Sequence, residues 1–159
     1  MRQLTLMDAE VNDYGRSVAV VRLSMVRERE AKFAVNEVRS PGDAARLAKE
    51  FLAGADREYF IVLCLDTKNR VNAINTVSVG TLNSSLVHPR EVFKAAILAN
   101  AAAVVVAHNH PSGDPEPSRE DVEVTRRLVE AGKIMGIEVL DHIVIGDENY
   151  TSFKQRGLI

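Results

Sequence analysis

Hydrophobic residues in this chain recur with two spacings, and the two spacings alternate along the sequence. Consecutive or alternating apolar positions predict four strands, at Tyr59–Leu65, Val71–Val79, 102–107 and Glu138–Ile145. Apolar positions three or four residues apart, framed by helix start and stop signals, predict three helices over 41–53, 89–101 and 118–135. Strands that alternate with helices indicate an α/β domain, with a layered mixed β-sheet flanked by helices.

The first 37 residues follow a different pattern. They are polar and weakly patterned up to residue 17, partly alternating and rich in valine over 17–26, and charged over 27–32. The alternating part predicts one strand. We therefore divide the chain into an N-terminal extension with a β-strand, residues 1–37, and one domain, residues 38–159.

Composition excludes several classes of protein. The chain is 46% hydrophobic and 26% charged, which is ordinary for one globular domain, and its net charge of −2 offers no strong field to nucleic acid or acidic lipid. The one cysteine, Cys64, lies within an apolar run, so we expect a buried thiol and no internal disulfide. No apolar stretch reaches the roughly 18 residues that span a bilayer. With no signal-peptide pattern either, we expect a cytoplasmic protein without membrane contact.

Two histidines end the third predicted strand. Residues i and i+2 of a strand face the same side, about 6.5–7 Å apart, so His108 and His110 can bind one metal ion. Asp121 follows in the first turn of the next helix. An ordinary helix start is a simpler explanation of Ser118 and Asp121, with Ser118 as the N-cap and Asp121 facing the positive end of the helix dipole. It does not explain the two histidines. Two histidines and one carboxylate leave a coordination position open for water, and the set suits zinc or non-haem iron.

The spacing of these residues resembles a known signature. His108-x-His110, seven residues, Ser118, two residues and Asp121 match the JAMM signature of the JAB1/MPN metalloprotease family over all 14 positions. Three segments, 79–91, 108–115 and 140–146, are similar to the RadC branch of that family. The resemblance runs from about Ser40 to Ile159. It implies zinc as the metal and a JAB1/MPN-like fold, related to the layered fold of cytidine deaminases.

The resemblance also implies roles for individual residues. His108, His110 and Asp121 would bind zinc, and Ser118 would help to stabilise an oxyanion. The family's catalytic glutamate, which acts as general base and then acid, matches Glu58. Glu91, at the start of the second predicted helix, remains open as a rival base, although dipole complementation is its simpler explanation. The implied function is a zinc-dependent hydrolase of metallopeptidase or isopeptidase type, with a peptide or protein substrate.

Three further residues are weaker candidates. His88 and Asp114 can support the metal ligands, but an exposed histidine and a turn residue are the simpler readings. For His142, within a predicted strand, we expect a buried and hydrogen-bonded imidazole.

Two other functions compete with hydrolysis. One is a DNA-repair-associated or mobile-element binding module with a structural or vestigial zinc site. RadC proteins usually carry a helix-hairpin-helix-like N-terminal region, and neither such a pattern before Ser40 nor a basic stripe is visible, so we expect weak DNA association at most. The other is base deamination, whose signature needs glutamate at position 110 and a cysteine pair. Position 110 is histidine, which excludes that signature.

Overall fold

One five-stranded mixed sheet organises the chain. The computed structural model describes residues 17–80 and 87–159. The strands are β1 (Tyr59–Leu65), β2 (Val71–Val79), β3 (Ala103–Asn109), β4 (Glu138–Ile145) and β5 (Tyr150–Ser152). Their order in the sheet is β2-β1-β3-β4-β5, and β3 and β4 form the one parallel pair of this sheet.

Helices cover both faces of this sheet, in three layers. They are α1 (Pro41–Phe51), α2 (Pro89–Leu98) and α3 (Arg119–Met135). α1 packs against Ile61, Leu63 and Val105 on one face, whereas α2 and α3 enclose Phe60, Val62 and other residues on the opposite face. The central strands are therefore buried on both sides, as their continuous apolar runs predict. This architecture confirms the predicted fold class.

A capping box begins α3 and matters for the site. Ser118 Oγ accepts a hydrogen bond from the Asp121 N–H at 3.0 Å, and Asp121 Oδ2 accepts one from the Ser118 N–H at 2.8 Å. These two bonds pair backbone donors that have no partner within the helix. Gly136, with φ of 68°, ends the helix in the left-handed conformation. Both ends of α3 thus agree with the sequence signals.

The prediction of a strand over residues 17–26 is wrong. The structure has no strand there, and the valines of this segment are exposed, Val18 to 90% and Val26 to 89%. Alternation makes a segment suitable for a sheet, but a strand also needs an edge to pair with. Further along the extension, Phe33 lies against Phe51 of α1 with ring centroids 6.5 Å apart.

The C-terminal end holds a strand that the sequence pattern did not indicate. β5 has three residues and pairs antiparallel with the end of β4. No helix in the residues described is both long and apolar enough to cross a membrane.

Candidate metal centre

Two imidazoles and a carboxylate meet where β3 ends and α3 begins. His108 Nε2 lies 3.0 Å from His110 Nε2, and Asp121 Oδ2 lies 3.3 Å from each of these nitrogens. His108 is fully buried and Asp121 is 5% exposed. Strand geometry directs both histidines to the α3 side of the sheet, and the capping box directs the carboxylate towards them. The structure therefore brings together the three residues predicted as metal ligands.

The spacing of these three atoms suits a metal ion. Ligand atoms about 2.0–2.1 Å from a tetrahedral zinc ion lie about 3.3–3.4 Å from one another. The observed separations of 3.0, 3.3 and 3.3 Å are close to that value. Nitrogen and oxygen ligands of this kind, without thiolates, are also typical of zinc sites that keep one position open.

Glu58 adjoins the same centre from the start of β1. Glu58 directly precedes β1, and the antiparallel register pairs Phe60 with His108, so Glu58 lies near the end of β3. Its Oε1 atom lies 3.6 Å from His108 Nε2 and is buried without a hydrogen-bond partner among the described residues. Ligand atoms of Glu58, His108 and His110 all lie within 4.8 Å of one another, so this trio can also hold a metal ion.

The side chain of Asn109 holds the backbone on both sides of Glu58. Its Oδ1 accepts a hydrogen bond from the Tyr59 N–H at 2.8 Å, and its Nδ2 donates to the Arg57 carbonyl at 2.9 Å. The Glu58 carbonyl in turn accepts a hydrogen bond from the Gly80 N–H at 2.9 Å. The middle residue of His108-Asn109-His110 thus positions the glutamate, a role that the sequence analysis missed.

Burial and charge tune the ionisable groups of the centre in different directions. Burial raises the pKa of Glu58 to about 7 and lowers the pKa of His108. Burial also opposes ionisation of Asp121, but hydrogen bonding to the two imidazoles outweighs it and holds the pKa of Asp121 well below its usual range. The Asp121 carboxylate raises the pKa of His110. The centre therefore combines an Asp121 carboxylate that stays ionised with a Glu58 carboxyl whose pKa is about 7.

His88 and Asp114, the candidates for supporting the metal ligands, differ in how close they lie to the centre. The Asp114 backbone carbonyl accepts a hydrogen bond from His110 Nδ1 at 2.7 Å, so Asp114 supports His110 through its backbone and not its carboxylate. His88 caps α2, because its Nδ1 accepts a hydrogen bond from the Arg90 N–H at 3.2 Å. Among the described residues, His88 makes no hydrogen bond to His108, His110 or Asp121.

Glu91, the rival base, is engaged in ion pairs. Its carboxylate lies 3.0 Å from Lys94 Nζ and 3.9 Å from Arg90 Nε, and its side chain is 42% exposed. The Lys94 ammonium holds the pKa of Glu91 below its ordinary value. A carboxylate held ionised by a lysine suits a solvated helix start better than proton transfer.

His142 and Thr125 extend the centre inward. His142 Nε2 lies 2.7 Å from His108 Nδ1, and Thr125 Oγ1 lies against His142 Nδ1. The expected buried, hydrogen-bonded His142 is confirmed, but its link to His108 was missed. Two signals existed: Thr125 is four residues after Asp121 and so shares its helix face, and a histidine in an apolar strand needs partners.

Comparison with known proteins identifies the family of this layered α/β domain. A family model described as "RadC-like JAB domain" matches residues 38–158. The chain belongs to the RadC-like JAB domain family.

The curated relatives carry the name UPF0758 protein. Those of Desulforamulus reducens and Moorella thermoacetica are 59% and 60% identical to this chain over 122 residues. One from Bacillus cereus is 57% identical over the same length. Each match covers 77% of this chain and 53–54% of the relative, so the chain spans about half the length of these relatives.

Proposed function

We propose that the chain is a zinc-dependent hydrolase of peptide or isopeptide bonds. The observation that carries the proposal is the buried Oε1 atom of Glu58, which has no hydrogen-bond partner among the residues that the structure describes and lies beside two converging imidazoles and a carboxylate. Such an oxygen costs free energy unless a partner arrives, and a water molecule or substrate at the centre is the natural partner. Membership of a family that includes metallohydrolases supports the same conclusion.

We assign Asp121, rather than Glu58, as the third ligand. Asp121 Oδ2 lies 3.3 Å from both imidazole Nε2 atoms, whereas Glu58 comes within 4.0 Å of His108 alone, at 3.6 Å. This division leaves Glu58 for proton transfer. A zinc ion, when bound, polarises a substrate carbonyl and lowers the pKa of a water molecule to about 7.

Glu58 and Ser118 supply the remaining chemistry from the chain itself. With a pKa of about 7, Glu58 can take a proton from the attacking water and return it to the leaving nitrogen. The Ser118 Oγ atom accepts the Asp121 N–H and keeps its own proton for donation. That proton can stabilise the oxygen on which negative charge develops.

The test separates binding from catalysis. Glu58→Gln keeps the size of the side chain but cannot take up a proton, so zinc content should stay near wild type. Loss of a general base should lower the rate by about 10²–10⁴-fold. The matched control is Glu91→Gln. Glu91 lies in the first turn of α2, and its charge is already paired with Lys94. Activity would be measured on a proteome-derived peptide library at equal zinc loading.

Two results would contradict the proposal in different ways. Full activity in Glu58→Gln with loss of activity in Glu91→Gln would show that Glu91, and not Glu58, is the general base, and would leave the proposed zinc site intact. A zinc-loaded wild type that cleaves no peptide and binds duplex DNA with nanomolar affinity would instead favour the binding module. The expected DNA affinity is no tighter than the roughly 10⁻⁴–10⁻⁶ M of non-specific contacts.

A further inference from the structure

A buried chain of hydrogen bonds leads from the backbone of Asp121 to the ring of His108. Thr125 Oγ1 lies 2.6 Å from the Asp121 carbonyl oxygen and 2.5 Å from His142 Nδ1. His142 Nε2 lies 2.7 Å from His108 Nδ1. Thr125, His142 and His108 are all fully buried, so solvent cannot replace any of these partners.

The donor and acceptor chemistry of these groups favours one direction for every bond. A carbonyl oxygen only accepts, so the single Thr125 hydroxyl proton goes to the Asp121 carbonyl. Thr125 Oγ1 must then accept from His142, which places the His142 proton on Nδ1. The fully buried His142 ring forms no ion pair with a carboxylate among the described residues, so it carries a single proton, and its Nε2 accepts the proton on His108 Nδ1.

The His142 ring is also held mechanically. Phe153 stacks on it with centroids 4.6 Å apart, and Phe60 meets it edge-on at 5.4 Å. Its backbone N–H donates to Asp141 Oδ1 at 2.8 Å, while Asp141 Oδ2 accepts a hydrogen bond from the Ser152 hydroxyl of β5. The short C-terminal strand thus helps to keep the imidazole in place.

We propose that Thr125 and His142 are positioning residues that lock the His108 proton on Nδ1 and present the Nε2 lone pair to a metal ion. Asp121 then acts at both ends of the ring. Its carboxylate faces His108 Nε2, and its carbonyl starts the chain that ends at His108 Nδ1. The inference rests on the proposed metal centre, and hydrogen bonding to the far nitrogen is the general means by which proteins orient ligand histidines.

Thr125→Val tests the chain with almost no change of shape. The valine can neither donate to the Asp121 carbonyl nor accept from His142, so the His142 proton loses its partner on Nδ1. A proton moved to His142 Nε2 would face the proton on His108 Nδ1. His108 would then have to carry its proton on Nε2, which is the atom needed for the metal.

The first measurement needs no metal. Long-range ¹⁵N–¹H spectra of the histidine rings report which nitrogen carries the proton. In the chelator-treated wild-type chain, His108 and His142 should both be protonated on Nδ1, and Thr125→Val should disturb this pattern in both rings. A His108 proton on Nε2 in the wild type would overturn the inference, whether or not the protein binds zinc.

The second measurement is zinc affinity, by competition with a chromophoric chelator. Thr125→Val should weaken zinc binding by about 10–100-fold, and Thr125→Ser, which restores the hydroxyl, should return it to the wild-type level. Leu128→Val is the matched control, because Leu128 is buried in the same helix and packs in the apolar core.

The outcomes distinguish this inference from the proposed function. Wild-type affinity in Thr125→Val, or equal losses in Thr125→Val and Leu128→Val, would refute the positioning role while the zinc site stands. A wild type that binds no zinc would refute the proposed function, and the ring spectra would still decide the direction of the hydrogen bonds.

Discussion

Zinc should raise the melting temperature of the protein, because the ligands assemble only in the folded chain. His108 and His110 come from the end of β3, and Asp121 comes from α3. A ligand that binds only the folded state stabilises it by about 2.7 kcal/mol at a free concentration a hundred times its Kd. For a chain of 159 residues, in which 1 kcal/mol shifts the melting temperature by about 2–4 °C, the expected rise is about 5–11 °C.

His110→Ala is the sharpest variant for this prediction. The His110 side chain is 14% exposed, so its removal opens less of a cavity than removal of the fully buried His108. It leaves two of the three proposed ligands, too few for a tight site. Most of the zinc-dependent rise should therefore disappear. The assay is thermal unfolding by circular dichroism, first with chelator and then with zinc.

His88→Ala is the matched control. It also removes one imidazole, but from the N-cap of α2, where the loss should cost about 1 kcal/mol of stability. Its melting temperature should fall equally with and without zinc, so that the rise on zinc addition is kept. The reasoning fails if the wild type shows no rise, or if His110→Ala keeps the full rise.

Three further outcomes follow from individual contacts. Asn109→Ala removes two hydrogen bonds beside Glu58 and should lower the free energy of unfolding in urea by about 1–3 kcal/mol; an unchanged value would contradict the role of Asn109 in holding the backbone around Glu58. The Cys64 thiol, buried and with its pKa raised by burial to about 11, should react with a disulfide reagent only after unfolding, whereas reaction in the native state would contradict its burial. The raised pKa of Glu58, about 7 against an ordinary 4.5, favours the protonated carboxyl in the fold, so stability from this group is lost as pH rises through 7. In chelator, Glu58→Gln should therefore melt above the wild type at pH 8, with the difference gone below pH 4.5; a variant that melts lower at pH 8 would reverse the sign.

Elements whose sequence pattern lies within a few neighbouring residues were predicted well. The bounds of β1, β2 and β4 agree with the sequence pattern because apolar runs are separated by turn residues such as those at 66–70. The start of α3 agrees because Ser118 and Asp121 form their own hydrogen bonds. These features depend on neighbours within a few residues, which the sequence shows directly.

Elements that depend on partners far away in the sequence were not predicted well. The valine-rich residues 17–26 have the composition of a strand but no partner in the sheet, whereas β5 has three residues and gains its place from β4 and Asp141. The link between His142 and His108 needs the parallel alignment of β3 with β4, in which His142 pairs with Val106. No local pattern encodes that alignment.

The structure shows that a helix cap and a metal ligand are compatible roles for Asp121. The two readings compete only if one carboxylate has one task, and a carboxylate has about four acceptor sites. Asp121 Oδ2 accepts the Ser118 N–H at 2.8 Å and still lies 3.3 Å from both imidazoles. The helix start thus supplies the rigidity that a metal ligand needs, since the backbone N–H fixes the carboxylate before any ion arrives. A capping box at this position is therefore compatible with a metal-binding role for Asp121 and is not an alternative to it.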